Sequence, residues 1–338
     1  MAREDPLRIA LIGFGYWGPN IARNIAGYPQ AELAAVCDLS PQRLSSVSTS
    51  FPSTPTCRTI DDLDASTFDA VVIATPTRTH YPLAKYFLEL GKHVLVEKPL
   101  TADSGEACEL VDLARLRDLT LMVDHTFVYT DAVRLMKKLV DDGSMGDLVY
   151  FDSSRVNLGL FQPDVSVMWD LAVHDLAILD YLIDKRVVSV SATGGIHHAS
   201  NHPAVAALSL EFETGFFAHL MVSWLSPVKL RRILLGGTES TVVFDDLSTD
   251  EKIKVYDSGV DISSPEDARS ALLNYRLGDV LVPRLSNTEA LRREISHFVE
   301  CVRQGREPET SGRRAVGIVE TLEAAHKSIA MKGAPVRL

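Results

Sequence analysis

The sequence predicts an α/β domain with a doubly wound parallel sheet in residues 1–126, followed by an α+β domain in residues 127–338. In the first part, short apolar strands alternate with helical segments, an order that gives a parallel sheet covered on both faces. The first strand runs into a G-x-G-x-x-G turn that opens a helix. In the second part, six strand candidates follow residue 186 with few helices between them, which favours antiparallel pairing.

The elements of the first domain follow from local signals taken in chain order. Buried parallel strands appear as short apolar runs, while helices begin at N-cap residues such as Ser40 and end at glycines such as Gly91. The predicted strands are Leu7–Gly13, Glu32–Cys37, Phe68–Thr75, His93–Glu97 and Leu119–Asp124. The predicted helices are Trp17–Gly27, one that begins at Ser40-Pro41, Tyr81–Leu90 and Glu106–Arg117.

The second domain opens with two helices around one strand, continues as a series of strands, and closes with two helices. The short turn Glu213-Thr214-Gly215 predicts a hairpin. The predicted helices are Asp131–Val140, Trp169–Ile183, Ala290–Arg303 and Ala315–Met331. The predicted strands are Asp147–Val156, Val187–Ala192, Ala204–Glu213, Gly215–Trp224, Arg231–Leu235, Thr241–Phe244 and Ile253–Tyr256.

The composition is that of a globular protein that does not bind nucleic acid. The 338 residues include 34 Lys and Arg against 45 Asp and Glu, a formal charge of −11, and 46% are hydrophobic. Phosphate neutralisation needs a basic field, which this balance does not supply. No apolar run approaches the ~20 residues of a membrane helix, and the first residues lack the apolar region of a signal peptide. We expect a cytoplasmic protein without a membrane partner.

The cysteines argue against a metal centre. Their positions contain no C-x-x-C pair and no zinc-binding spacing, so we expect reduced thiols and no metal. They are Cys37, Cys57, Cys108 and Cys301.

The glycine turn predicts a dinucleotide site. Gly13 allows a tight turn, Gly15 lets the backbone approach a pyrophosphate, and Gly18 permits close packing of helix and strand. The N-terminus of the following helix then offers N–H groups and a positive dipole end to the phosphates.

Asp38 predicts NAD rather than NADP as the cofactor. It ends the second strand, 20 residues after Gly18, where a carboxylate accepts hydrogen bonds from the ribose hydroxyls and repels a 2′-phosphate. Arg43 is close in sequence and leaves NADP as the alternative. The loops after the next two strands also border the cofactor, because ligands bind beyond the carboxyl ends of the strands. The cofactor-binding candidates are Gly13, Phe14, Gly15, Tyr16, Trp17, Gly18, Asp38, Thr75, Pro76, Thr77, His80, Glu97 and Lys98.

Two groups of residues predict the reaction chemistry. Lys98, in Glu97-Lys98-Pro99 at the end of a strand, is placed to stabilise oxyanion charge on a substrate hydroxyl. Asp170 and His174 are four residues apart and share one face of a helix. A carboxylate beside an imidazole is a general-base arrangement, which alcohol oxidation requires. The predicted catalytic residues are therefore Lys98, His174 and Asp170, and either Lys98 or His174 is the proton acceptor.

These motifs, in this order, resemble the glucose–fructose oxidoreductase, inositol dehydrogenase and rhizopine-catabolism family (Gfo/Idh/MocA). The resemblance covers nearly the whole chain and includes the Gly236–Thr241 and Pro308–Gly312 segments. It implies a Rossmann domain followed by an α+β domain with a large open, mainly antiparallel sheet. It also implies catalysis by Lys98 and His174, and a homodimer or homotetramer formed through the open sheet face.

Four segments look like the nucleotide-sugar 3-dehydrogenase branch of that family: Gly15–Asn20, Arg155–Gly159, Trp169–Leu171 and Phe244–Leu247. This resemblance implies oxidation of the 3-hydroxyl of a UDP-linked N-acetylhexosamine or its uronic acid. Val173 departs from the branch, where proline is expected.

Other substrates and activities stay open. A free inositol or another polyol or sugar is the alternative substrate, and a catalytically silent dinucleotide sensor is the alternative from another class. A sensor is disfavoured because Lys98 and His174 are both present. Arg155, Lys229, Arg231 and Arg232 are candidates for binding a diphosphate. The substrate-binding candidates are Lys98, His125, Arg155, Asn157, Trp169, Asp170 and His174.

Overall fold

The structure, a computed structural model, describes residues 5–159, 166–196, 202–257, 259–260, 275–276, 278–286 and 288–338. Packing divides the chain into a first unit of residues 1–130 and 288–319 and a second unit of residues 131–287 and 320–338. The predicted division at residue 126 differs from this one, because residues 288–319 return to the first unit.

The first unit is built on a six-stranded sheet in which all neighbouring strands are parallel, in the order β3-β2-β1-β4-β5-β6. The strands are β1 Leu7–Ile12, β2 Ala31–Cys37, β3 Thr56–Cys57, β4 Ala70–Ile73, β5 His93–Glu97 and β6 Leu121–Asp124. The helices are α1 Gly18–Ala26, α2 Pro41–Ser50, α3 His80–Glu89 and α4 Ser104–Leu116. Short 3₁₀ turns cover Ile60–Asp62, Ala65–Thr67, Thr77–Thr79 and Thr126–Tyr129. The predicted Rossmann fold is confirmed.

The sheet positions the candidate cofactor residues at a single edge. Its central strands are apolar and buried, as expected when helices cover both faces. Parallel strands end at the same edge, so the residues that follow them lie along it. These are Gly13, Asp38, Ala74, Lys98 and His125.

The second unit contains a nine-stranded mixed sheet in the order β16-β13-β12-β11-β7-β10-β9-β8-β17. Only the β7–β10 pair of this sheet is parallel among the described residues. Its strands are β7 Leu148–Leu158, β8 Val187–Ile196, β9 Pro203–Phe212, β10 Phe217–Ser223, β11 Leu225–Gly237, β12 Thr241–Asp245, β13 Ile253–Tyr256, β16 Val280–Leu281 and β17 Val336–Arg337. A separate two-stranded sheet pairs β14 Gly259–Val260 with β15 Tyr275–Arg276. The predicted large, mainly antiparallel sheet is confirmed.

The remaining helices are α5 Asp131–Asp141, α6 Val173–Leu182, α7 Ala290–Gln304 and α8 Gly312–Ala330. In the second unit, Arg134 on α5 donates to the Tyr181 hydroxyl on α6 at 2.8 Å. In the first unit, Arg23 on α1 forms a two-bond ion pair with Glu289, the N-cap residue of α7. The sequence predicts α7 as a closing helix of the second domain because nothing local to it indicates that its partner is α1.

One predicted helix differs in a way that concerns the candidate site. The segment Trp169–Ile183 is predicted as a single helix, whereas the structure has a π-helical turn at Met168–Ala172 and then α6. Such turns are rare and occur frequently at functional sites. Asp170 lies in the π turn and His174 in the first turn of α6.

Candidate active site

The glycine turn after β1 has the shape that a dinucleotide needs. Gly13 has φ 97°, and a Cβ on it would lie 2.4 Å from the Ala74 carbonyl oxygen. A Cβ on Gly18 would lie 2.7 Å from the Gly13 carbonyl oxygen. By contrast, the nearest described atom to a Cβ on Gly15 belongs to the Arg43 guanidinium, at 3.8 Å. Strand and helix are therefore closely packed at Gly13 and Gly18, while space for a pyrophosphate remains beside Gly15.

Asp38 organises this turn. Its carboxylate is buried and accepts hydrogen bonds from the backbone N–H of Phe14 at 2.6 Å and of Ser40 at 2.8 Å. The half-exposed Arg43 guanidinium lies 3.4 Å from the same carboxylate. This position at the carboxyl end of β2 fits the expected contact with the adenosine ribose, which stays a prediction.

His80 joins the two loops that border this edge. Its ring is buried, with Nδ1 2.8 Å from the Pro99 carbonyl oxygen and Nε2 2.8 Å from the Thr75 carbonyl oxygen. Burial lowers the pKa of His80. Both ring nitrogens are thus turned toward the backbone, and His80 holds the Thr75 and Lys98–Pro99 loops together. Its predicted contact with the cofactor is untested, as are those of Thr75, Pro76 and Thr77.

Lys98 follows β5 next to Glu97, which forms a group with Asp124 and Glu294 that we call the carboxyl cluster. Glu97 and Asp124 are partners on neighbouring strands, and Glu294 on α7 is fully buried. Asp124 receives hydrogen bonds from the Trp17 indole N–H at 3.3 Å and from the Thr126 hydroxyl at 2.5 Å. Burial, together with the Asp124 charge, raises the pKa of Glu97 and of Glu294 well above the usual value for glutamate. The cluster therefore favours protonated glutamates beside Asp124, and Asp124 anchors Trp17 of the glycine turn.

His125 is a buried imidazole at the end of β6. It is 3% exposed, and within the described ranges neither ring nitrogen has a hydrogen-bond partner. Burial, and next the positive charge of Lys98, lower its pKa to about 3. The ring is therefore neutral at physiological pH and offers one donor and one acceptor. Buried polar groups normally have partners, so an unsatisfied ring here marks a place for a ligand or a water.

In the second unit, the π turn presents Trp169 and Asp170, both partly exposed. Asp170 Oδ2 accepts a hydrogen bond from the indole N–H of Trp224 at 3.0 Å. Trp224 follows β10 and is 1% exposed. The sequence predicts a role for Asp170 toward His174 or a substrate hydroxyl. It does not identify Trp224, since Asp170 and Trp224 are 54 positions apart.

The Arg155 side chain forms an ion pair within the protein. It lies on β7 and is 3% exposed at the side chain, and its Nε and Nη2 donate to Asp175 Oδ1 at 3.0 and 2.6 Å. The Ser153 hydroxyl donates to the other oxygen of Asp175 at 3.3 Å. Asp175 directly follows His174, so this buried ion pair attaches the His174 turn of α6 to the sheet. The expected binding of a substrate diphosphate by Arg155 stays a prediction, and the structure offers it no support.

Of the other basic candidates, Lys229 and Arg232 are exposed on β11, whereas Arg231 pairs with Asp246 at 3.2 Å. Asn157 is partly exposed near the end of β7.

In the described part of the chain, no group of three His, Cys, Asp or Glu residues is arranged to hold a metal ion. Among the helices that the structure describes, none has the length and hydropathy needed to span a membrane. All four cysteines are free.

Two family models match the sequence. Residues 7–125 match the oxidoreductase family with an NAD-binding Rossmann fold, and residues 133–243 match the GFO/IDH/MocA C-terminal domain. The chain belongs to the GFO/IDH/MocA family. It is an NAD-binding oxidoreductase, which confirms the predicted family, enzyme class and cofactor.

The chain is similar to a nucleotide-sugar dehydrogenase and to an inositol dehydrogenase. The chain is 30% identical to the UDP-N-acetylglucosamine 3-dehydrogenase of Acidithiobacillus ferrooxidans, over 70% of this chain and 74% of that protein. It is 25% identical to the inositol 2-dehydrogenase of Rhizobium meliloti, over 96% of this chain and 98% of that protein.

Solved structures show the same fold over nearly the whole chain. The UDP-N-acetylglucosamine 3-dehydrogenase GnnA of A. ferrooxidans has a TM-score of 0.82 and 24% identity, covering 97% of this chain and 99% of that chain. GenD2 from gentamicin A biosynthesis, solved in complex with NAD, has a TM-score of 0.82 and 25% identity, covering 99% of this chain and 97% of that one.

Proposed function

We propose that the protein is an NAD-dependent dehydrogenase that oxidises a ring hydroxyl of a sugar, specifically the 3-hydroxyl of a UDP-linked sugar. The observation that carries the oxidoreductase chemistry is the placement of Lys98 at the same sheet edge as the open space beside Gly15. The nucleotide-linked substrate is supported by the 30% identity to a UDP-N-acetylglucosamine 3-dehydrogenase and by the branch-like segments Gly15–Asn20 and Trp169–Leu171.

Residues of the first unit would hold the cofactor. The backbone of Gly13–Gly18 receives the pyrophosphate, Asp38 the adenosine ribose, and the Thr75–Thr77 loop and Glu97 border the remainder. Bound NAD supplies the hydride acceptor. The neutral His125 ring provides a polar contact for a substrate hydroxyl without adding positive charge.

Proton handling is assigned to three side chains. His174 accepts the proton of the reacting hydroxyl, and Lys98 stabilises the negative charge that develops on its oxygen. Asp170 orients His174 or a neighbouring hydroxyl. The reverse assignment, with Lys98 as base, is distinguished by the pH–rate profiles of the two alanine variants.

A free inositol is the second candidate substrate, and two observations favour it. Two relatives named as inositol dehydrogenases match 96% and 99% of this chain. In addition, Arg155, the most buried of the candidate diphosphate ligands, is paired with Asp175.

The test is turnover of a panel of UDP-sugars, dTDP-sugars and inositols, followed by NADH absorbance. We expect the highest kcat/KM for a UDP-N-acetylhexosamine or its uronic acid. Lys98→Ala should lower kcat by ~10²–10³-fold and His174→Ala by ~10²–10⁴-fold, while NAD affinity in calorimetry stays unchanged. The exposed residues Lys138 and His326 provide matched alanine controls. Near-native kcat in both site variants would remove this site from consideration.

A further inference from the structure

Trp224 makes a contact that none of the preceding assignments uses. We propose that Trp224 is a positioning residue that holds the Asp170 carboxylate in the orientation required for the reaction. The inference rests on the proposed function, in which Asp170 orients His174 or a substrate hydroxyl.

The contact is directional. An indole N–H donates and never accepts, so Trp224 can engage Asp170 only as donor to an acceptor oxygen. The N–O distance of 3.0 Å is that of a well-formed hydrogen bond. Bonds of this kind to an ionised acceptor are about twice as strong as neutral ones. The bond therefore favours one orientation of a carboxylate that is partly exposed.

The indole that makes this bond is itself fixed. The backbone N–H of Trp224 donates to the Ala204 carbonyl at 2.9 Å, and its carbonyl accepts from the Gly159 N–H at 3.0 Å. A Cβ on Gly159 would lie 2.5 Å from Cδ1 of the indole. The ring thus packs directly against the Gly159 backbone, and only glycine leaves room for it there. The fixed indole of Trp224, at the end of β10, thus holds the Asp170 carboxylate on the π turn.

Asp170 lies in the π turn that precedes α6. Across Met168–Ala172 the backbone has the wider hydrogen-bond spacing of a π-helix, and it runs directly into α6 at Val173. The bond to Trp224 ties this turn to the end of β10. Small errors in the placement of catalytic groups cost up to about 100-fold in rate, so this tie bears on catalysis.

The first experiment is a double-mutant cycle in kcat with Trp224→Phe and Asp170→Ala, in the full-length enzyme with NAD and its best substrate. Trp224→Phe keeps an aromatic ring and removes the donor, and should lower kcat about 10- to 100-fold with unchanged NAD affinity. In the Asp170→Ala background the same change should alter kcat less than about twofold, because a residue that acts through Asp170 has nothing left to position. Tyr181→Phe is the control, since it removes one hydrogen bond from α6 in the same unit and should leave kcat unchanged.

The second measurement does not depend on folding of the Phe variant. The chain has three tryptophans, so a ¹⁵N-labelled sample shows three indole N–H signals. The Trp224 signal should move and exchange faster with solvent in Asp170→Ala, while the Trp17 signal should be unaffected.

Three outcomes would overturn the proposal. One is a Trp224→Phe variant with native kcat beside a slow Asp170→Ala variant. Another is an equal loss from Trp224→Phe with and without Asp170, which would show a general structural effect. The third is a Trp224 indole signal that does not respond to Asp170→Ala. If Asp170→Ala itself has native kcat, the assigned role of Asp170 in the proposed function fails instead.

Discussion

The buried pair between Arg155 and Asp175 gives a prediction whose size follows from its burial. The two side chains are 3% and 1% exposed and share two hydrogen bonds. Asp175→Ala leaves the Arg155 charge buried and without its carboxylate, a change that costs ~3–5 kcal/mol. Exposed pairs contribute only ~0–1 kcal/mol. For a unit of this size the loss corresponds to a fall in Tm of about 6–20 °C.

The assay is urea unfolding of the full chain at pH 7, followed by tryptophan fluorescence. Asp112→Ala is the control, because Asp112 pairs with Arg115 on the surface, where the side chains are 69% and 81% exposed. The double variant Arg155→Met, Asp175→Leu should recover most of the lost free energy, since replacing a buried pair by apolar side chains is often neutral or stabilising.

The same variants decide whether Arg155 is available to a substrate. If Asp175→Ala lowers the free energy of unfolding no more than Asp112→Ala does, the Arg155–Asp175 pair is not shielded from water in the way the structure shows. That result would refute the reasoning. If the stable double variant raises KM for a UDP-sugar at least tenfold while KM for an inositol is unchanged, Arg155 binds the nucleotide and its pairing with Asp175 is not its main role.

Three further predictions concern the cofactor, pH and assembly. Asp38→Ser should raise affinity for NADP relative to NAD, because it removes the charge that repels a 2′-phosphate; calorimetry showing that the native protein prefers NADP would refute this. Because the pKa of Glu294 is raised in the folded state, its contribution to stability is complete below the unfolded pKa and declines as pH increases. Glu294→Gln should therefore become progressively more stable than the native protein as pH rises above about 4.5. Equal pH dependence of urea unfolding in both proteins would contradict this. Light scattering should give a dimer or tetramer mass, and Phe217→Glu on the half-exposed sheet strand β10 should shift it toward the monomer, whereas Leu116→Glu on α4 should not.

Most of the fold was predictable because its signals are local. The apolar strands of the first unit, the Ser40 cap of α2 and the glycine turn each depend on residues adjacent in sequence. Because the strands are parallel, Gly13, Asp38 and Lys98 then lie at one sheet edge, and no long-range contact is needed to predict this. The hairpin at Gly215, with φ 77°, follows from the same kind of local signal.

The parts that were not predictable depend on contacts between distant residues. Glu294 lies on a helix about 170 positions after Asp124, and the amphipathic pattern of that helix gives no indication that this carboxyl group packs beside Asp124. Arg155 has the charge expected of a phosphate ligand, and only the structure shows that Asp175 already pairs with it. Charge alone therefore does not identify a substrate contact, because a sequence does not show which charges neutralise one another.

In both units, polar side chains hydrogen-bond to the segments that carry candidate site residues. In the first, Asp124 anchors Trp17 of the glycine turn from within the carboxyl cluster. In the second, Asp175 fixes the turn that carries His174, and Trp224 fixes Asp170. Burying a polar group costs free energy unless the group is hydrogen-bonded. The buried, hydrogen-bonded groups beside the candidate catalytic residues therefore orient those residues at some cost in stability. Substitutions in this supporting layer should therefore lower kcat more than they alter substrate affinity, which distinguishes them from substitutions of residues that bind the sugar directly.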